Sequence, residues 1–328
     1  MMSKPNNFWR GKKVIVTGHE GFLGSWLTRA LLACGARVVG VDIVRHRPFS
    51  VLEDLRDKLV GIKGDISDLK FVKAVISKYR PQVIFNLAAE AIVSEANKNP
   101  VRAFKANIEG AWNVLEASRG KRFIEAIVFA SSDKAYGSHR ALPYKEGIAL
   151  RGSHPYDVSK SCADLLCYTY YNTYKTPVCV TRCGNIYGPG DFHFSRIVPD
   201  AIRSALKNKT LIIRSDGKFT RDYIYVEDAV SGYMLIAEKL RDSKLAGEAF
   251  NLSCEKPISV LELVRAIYKI AGAKPDYKIL DKAQYEIKHQ YLCSQKAKKI
   301  LGWRPGYNLD NGLKKAVEWY KKSLNEKT

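Results

Sequence analysis

Short, nearly unbroken apolar runs alternate with longer segments in which apolar residues recur every three or four positions. Lys13–Thr17, Arg37–Asp42, Val83–Ala89, Ile124–Ala130 and Val178–Arg182 have the length and β-branched content of strands buried on both faces. Leu59–Ile66 reads as a shorter strand running into a turn, weakened by Gly61 and Gly64. Between these runs, Trp26–Leu32, Leu69–Tyr79, Phe104–Ser118 and Tyr156–Lys175 carry helical periodicity. Strands alternating with helices predict a parallel sheet covered on both faces, with ligands bound at the carboxyl ends of its strands. Beyond Arg182 the pattern becomes mixed, with loops, short helices, a strand at Leu211–Arg214 and another at Glu248–Leu252.

The first strand leads into Gly18-His19-Glu20-Gly21-Phe22-Leu23-Gly24 and then a helix, the context a dinucleotide fingerprint requires. Gly18 permits the tight turn, Gly21 lets backbone amides approach a pyrophosphate, and Gly24 lets the helix pack close to the strand. Phe22 and Leu23, within that loop, are further candidate cofactor contacts, and the helix that follows faces the phosphates with its positive end. Asp42, ending the second strand about twenty residues on, suits the two ribose hydroxyls and repels a 2′-phosphate. NAD is therefore expected, with Arg45 and Arg47 leaving NADP as the alternative. Asp65 and Ile66 fall where an adenine edge and face would be met, and the small Ala88-Ala89 end of the fourth strand would admit the cofactor closely. The fold class is α/β, a Rossmann-type doubly wound parallel sheet with a smaller mixed α/β substrate-binding domain. The expected division is residues 1–182 for the NAD-binding domain, with about 223–253 returning to it, and 183–328 mainly for the substrate.

Composition narrows this picture little. The 328 residues suffice for one large or two smaller domains, and 46% hydrophobic content argues against disorder. The net charge of +21 permits nucleic acid or phosphorylated ligands as partners, but the basic residues are scattered as on a solvated surface, so no nucleic acid is expected. Seven cysteines without a CxxC pair read as reduced thiols, with no metal site. No stretch approaches the ~20 apolar residues of a membrane span, so no membrane partner and a cytoplasmic location are expected.

The candidate chemistry lies in Ser131-Ser132-Asp133-Lys134 after the fifth strand, and in Tyr156-Asp157-Val158-Ser159-Lys160. Tyr156 and Lys160, four apart, share a helix face, where the ammonium is expected to lower the phenol pKa and make a usable base. Ser132 is placed to hydrogen-bond the same substrate hydroxyl.

With these residues, Asn86-Leu87-Ala88-Ala89 and Cys183-Gly184-Asn185-Ile186-Tyr187-Gly188-Pro189-Gly190, nearly the whole chain resembles an extended short-chain dehydrogenase/reductase of the nucleotide-sugar epimerase/dehydratase family. The resemblance implies that Tyr156 takes the C4 hydroxyl proton while C4 gives hydride to NAD, with Asn107 among the cofactor contacts. It implies a nucleotide-diphosphate sugar as substrate, met by Asn185 and by Arg221 of Arg221-Asp222-Tyr223-Ile224-Tyr225-Val226-Glu227-Asp228, in which Asp228 is expected to cap the next helix. Arg196 is a further guanidinium suited to phosphate oxygens. Asp133-Lys134 selects the branch. A 4,6-dehydratase needs an acid for the departing C6 hydroxyl and a base for the C5 proton, and a 4-epimerase needs neither. The pair resembles that of the dehydratases acting on CDP-glucose, which makes Asp133 the acid and Lys134 the base, with burial or the nearby Lys160 expected to lower the lysine's pKa. The alternatives are a 4-epimerase or, from another class, a non-catalytic Rossmann protein binding nucleic acid. The helices 107–118 and 156–175 match the pair that forms a four-helix homodimer interface in the family, and Leu165, Leu166, Tyr168, Tyr170 and Tyr171 exceed one buried stripe.

Overall fold

The computed structural model describes residues 7–241, 243–283 and 286–325. Its first six strands are β1 (Lys13–Thr17), β2 (Arg37–Asp42), β3 (Val60–Lys63), β4 (Val83–Asn86), β5 (Ala126–Ala130) and β6 (Val178–Cys183). There follow β7 (Asn185–Tyr187), β8 (Leu211–Ile213), β9 (Thr220–Arg221), β10 (Tyr223–Tyr225), β11 (Ala249–Leu252), β12 (Ile258–Ser259), β13 (Tyr277–Ile279) and β14 (His289–Gln290). A seven-stranded sheet has the order β11-β6-β5-β4-β1-β2-β3, and every pairing in it is parallel. Three small ladders, β10-β7, β12-β9-β14 and β13-β8, lie outside it.

The strand pleat explains the apolar runs, because successive side chains face opposite sides. Val14, Val16, Phe85 and Val128 enter one core with the later helices, including Ile236, Leu263 and Val317. Ile15, Ile84 and Ile127 enter the other, against Val72, Ile76 and Leu115. The helix Leu69–Tyr79 occupies the predicted span because Asp68 caps it, accepting from the Lys70 and Phe71 amides, and Arg80 closes it in a left-handed conformation. The predicted helix at Phe104–Ser118 begins earlier, at Pro100, and passes through a π-type turn at Lys105–Glu109. Among the described residues no helix is long and apolar enough to cross a membrane.

The expected cap at Asp228 is not made. The helix Val226–Leu240 starts after Tyr225, which places Asp228 inside its first turn. The Asp228 carboxylate accepts instead from the Gly306 and Tyr307 amides, at 2.7 and 3.0 Å. A long-range turn therefore takes the carboxylate that local sequence assigned to the helix terminus.

A buried ion pair ties β6, the strand next to the β11 edge, to the helix Pro155–Tyr174. Arg182 on β6 grips Asp164 of the helix Pro155–Tyr174 with two hydrogen bonds of 2.8 Å. Its remaining nitrogen donates to Tyr136 Oη at 2.9 Å, and Tyr136 donates to Asn251 on β11 at 2.8 Å. Arg182→Met leaves the Asp164 carboxylate buried without its partner and is expected to cost roughly 3–5 kcal/mol, read from urea unfolding. Asp164→Asn with Arg182→Met should recover part of that loss.

Candidate active site

The carboxyl ends of β1, β2, β4 and β5 open on a cavity of about 1480 Å³. Its floor is the glycine loop. Gly18 has φ +71°, and a Cβ there would lie 2.8 Å from Ala88 N. At Gly24 a Cβ would lie 2.0 Å from Gly18 O, so the turn and the helix Phe22–Ala33 close on one another only without side chains. No side chain caps that helix, and its first residues Phe22, Leu23 and Gly24 line the cavity. Phe22, Leu23, Asp42, Asp65, Ile66, Ala88 and Ala89 all line the same cavity. Asp42 is oriented by the Glu20 and Val44 amides, at 3.1 and 3.2 Å. Asp65 accepts from Ser67 N at 2.8 Å. This glycine cradle, uncapped helix start and acid at the end of β2 fit a dinucleotide.

Asn107 is placed differently from expectation. It is buried and absent from the cavity lining. Its amide donates to Glu90 O and Ser159 Oγ, at 3.1 and 2.8 Å, and its oxygen accepts from Glu90 N at 2.7 Å. It joins the loop after β4 to the helix of Tyr156.

At the end of β5 the chain turns once in a 3₁₀ conformation over Asp133–Tyr136. Ser132 caps the turn, accepting from Lys134 N at 3.2 Å while its hydroxyl donates to Asp133 Oδ1 at 2.9 Å. Asp133 Oδ2 and Ser131 Oγ are buried with no hydrogen-bond partner among the described residues, and both residues line the cavity. Burial pushes the Lys134 amine below its ordinary pKa, assisted by Arg221 and opposed by Asp133, Asp157 and Glu286. Of the two expected causes, burial acts, and Lys160 is not among the principal influences.

Tyr156 and Lys160 also line the cavity, but their electrostatics differ from expectation. Burial pushes the Tyr156 phenol up to about 12, against a hydrogen bond with Ser132 that lowers it. Burial pushes Lys160 down to about 8. Its ammonium donates to Ala130 O at 2.9 Å and lies 5.9 Å from the centre of the Tyr156 ring. Desolvation outweighs the attraction that the four-residue spacing suggested. A cationic ligand beside the phenol would restore the predicted direction.

Asn185, Arg196 and Arg221 reach the same cavity. Arg196 pairs with Asp191 at 3.0 Å. Arg221 is buried, and one of its nitrogens donates to Thr220 O and Lys288 O at 2.9 and 3.0 Å. Sequence reasoning missed Asp157, which faces the cavity with its carboxyl raised by burial to about 6. Its position between Tyr156 and Lys160 was the available signal. It also missed Gln290, which meets Lys134 across 156 residues with no local signal.

The fold and site define a Rossmann-type protein of the extended short-chain dehydrogenase/reductase class. Residues 14–253 match the NAD dependent epimerase/dehydratase family, and the chain belongs to it. It is 32% identical to CDP-glucose 4,6-dehydratase of Salmonella typhimurium, over 96% of this chain and 92% of that protein. Among solved structures it resembles dTDP-glucose 4,6-dehydratase of Bacillus anthracis in complex with NAD, with a TM-score of 0.84, 27% identity and coverage of 96% and 98% of the two chains. It also resembles UDP-glucose 4-epimerase of Thermotoga maritima with UDP-glucose, with a TM-score of 0.86, 28% identity and coverage of 95% and 99%.

Asp222, beneath the cavity, has its carboxyl raised to about 7 by burial, against a hydrogen bond from Ser253. A raised folded-state pKa means that the folded protein holds a proton that the unfolded chain releases first. The resulting stability is complete below about pH 3.8, the ordinary value, and is lost as pH rises through about 7. Asp222→Asn is expected to remove this decline, by an amount on the order of a few kcal/mol. Urea unfolding of both proteins between about pH 5 and about pH 8 should show a steeper fall for the wild type, and equal slopes would mean that the carboxyl is ionised throughout.

Proposed function

We propose that this protein is an NAD-dependent nucleotide-sugar 4,6-dehydratase that converts a CDP-glucose-like substrate to its 4-keto-6-deoxy product. The observation that carries the reading is the adjacent acid and amine, Asp133 and Lys134, on the same cavity as Tyr156. The similarity to CDP-glucose 4,6-dehydratase supports it.

NAD would be held by Gly18, Gly21, Phe22, Leu23, Gly24, Asp42, Asp65, Ile66, Ala88 and Ala89, and would supply the acceptor for the C4 hydride and its donor to C6. Tyr156 takes the proton of the C4 hydroxyl, Ser132 orients that hydroxyl, and Lys160 holds positive charge beneath the phenol. The resulting ketone makes the C5 proton acidic, and Lys134 removes it. Asp133 in its protonated form gives its proton to the C6 oxygen as the C6–O bond breaks, releasing water. Lys134 returns a proton to C5 as hydride reaches C6, Asp133 is reprotonated from solvent, and Tyr156 releases to solvent the proton it took from the C4 hydroxyl. The sugar loses one water, with no net oxidation. Asn185, Arg196 and Arg221 hold the diphosphate. In this reading residues 1–182, with 223–253, serve the cofactor and the remainder of 183–328 mainly serves the substrate.

Trp112, Leu165 and Tyr168 are 42%, 53% and 58% exposed on the helices Gly110–Ser118 and Pro155–Tyr174. This apolar face supports a homodimer packed through four helices. Sedimentation should give twice the chain mass, and Leu165→Lys with Tyr168→Lys should give the single mass. The free cysteines support a reducing, cytoplasmic setting.

Incubation with CDP-glucose should give a product lighter by one water, without stoichiometric consumption of added NAD. The similarity to a UDP-glucose 4-epimerase gives the competing outcome, an unchanged mass with an inverted C4. Lys134→Ala should keep C4 oxidation and slow elimination by roughly 10²- to 10⁴-fold.

A further inference from the structure

β14 is two residues long, and its Gln290 is completely buried. Gln290 lies opposite Arg221 in the parallel β14–β9 pairing. Both ends of its carboxamide are engaged beside the elimination pair. Nε2 donates to Asp133 O at 2.8 Å, and Oε1 accepts from Lys134 Nζ at 2.5 Å. Lysine offers only donors and a carbonyl only an acceptor, so the two partners select this one orientation of the amide.

We propose that Gln290 is a positioning residue for the elimination step, aiming the Lys134 amine and linking it to the strand pair that carries Arg221. The inference rests on the reading of Lys134 as the base. A lysine side chain has a long flexible stem, and a single fixed acceptor restricts where its nitrogen lies. An amine that gives one N–H to Oε1 directs its lone pair elsewhere, toward the cavity.

The acceptor's neutrality matters equally. Asp133 faces Lys134 from its own turn, Asp157 from the helix Pro155–Tyr174, Glu286 from the segment preceding β14, and Arg221 from β9. Three acids already favour the ammonium, against burial and the guanidinium. A glutamate at position 290 would add a fourth acid in direct contact, whereas glutamine orients the amine without adding charge. Its register opposite Arg221 means that a shift of β9 on binding a diphosphate moves the same ladder that holds the base.

The test uses the full chain with NAD and CDP-glucose, comparing Gln290→Met, Gln290→Glu and Lys134→Ala. C4 oxidation is read as reduced-cofactor absorbance in a single turnover, and elimination as product mass. Gln290→Met is expected to slow elimination roughly 10- to 100-fold with KM changed less than about twofold, and reduced cofactor should accumulate. Gln290→Glu, of the same shape, is expected to move the pH at which elimination reaches half its maximum upward by about one unit. A structural role alone would not move that midpoint. If Lys134→Ala abolishes elimination while both Gln290 variants keep the wild-type rate and pH profile, the inference is overturned. An effect on KM alone also overturns it, making Gln290 a substrate contact. Near-normal elimination by Lys134→Ala removes the base assignment itself, a different failure. If Gln290→Met does not fold, the Gln290→Glu profile decides.

Discussion

The hydroxyl of Thr17 holds the two halves of the sheet at the distance the site requires. Thr17 ends β1, the strand between β4 and β2, where successive connections run to opposite sides. Its Oγ1 donates to Asn86 Oδ1 at 2.7 Å and accepts from the Leu87 and Ala88 amides at 3.1 Å. These bonds draw the end of β4 against Gly18, and the Ala88 backbone then occupies the place of a side chain there. They also explain why β4 ends at Asn86 although the apolar run continues to Ala89. The Leu87 amide is shared between the Thr17 carbonyl and hydroxyl, the Ala88 amide turns to the hydroxyl, and Ala88 and Ala89 line the cavity wall. The glycine loop, the small residues opposite it and the opening between them follow from one crossing of strands.

Beyond that crossing, desolvation sets the chemistry. Tyr156, Asp157, Lys160 and Asp222 are buried together, and burial drives each toward its uncharged form. The acids rise to about 6 and 7 while Lys160 falls to about 8. Arg182 and Asp164 solve the same problem the opposite way, keeping both charges by a bidentate contact, and they lie where structure and not chemistry is needed.

Much of this was legible in the chain. The strands of the large sheet showed as apolar runs because a parallel sheet is covered on both faces, and Leu69–Tyr79 showed in full because Asp68 supplies its own cap. Gly18, Gly21, Gly24 and Asp42 showed because their roles depend on short spacing. The errors have a common cause in long-range contact. Asp228 resembles a cap until Gly306 and Tyr307 arrive from 78 and 79 residues away. Asn107, expected among the cofactor contacts, lies off the cavity lining because Glu90 and Ser159 hold its amide. The Tyr156–Lys160 spacing was right, but the direction of the phenol's shift depends on a burial that no local pattern encodes.

Overall shape does not choose between epimerase and dehydratase, since the chain superimposes comparably on a 4-epimerase and a 4,6-dehydratase, with TM-scores of 0.86 and 0.84. The choice falls to side chains at the end of β5. Two adjacent residues of an extended strand point to opposite faces, so an acid and a base there would be separated by the sheet. Ser132 prevents this. By accepting from Lys134 N it starts a 3₁₀ turn at the last point where the strand could continue. Asp133 and Lys134 then both line the cavity. One serine hydroxyl thus serves two purposes: it stands beside the Tyr156 phenol, and it folds the acid and the amine onto the same side of the cavity.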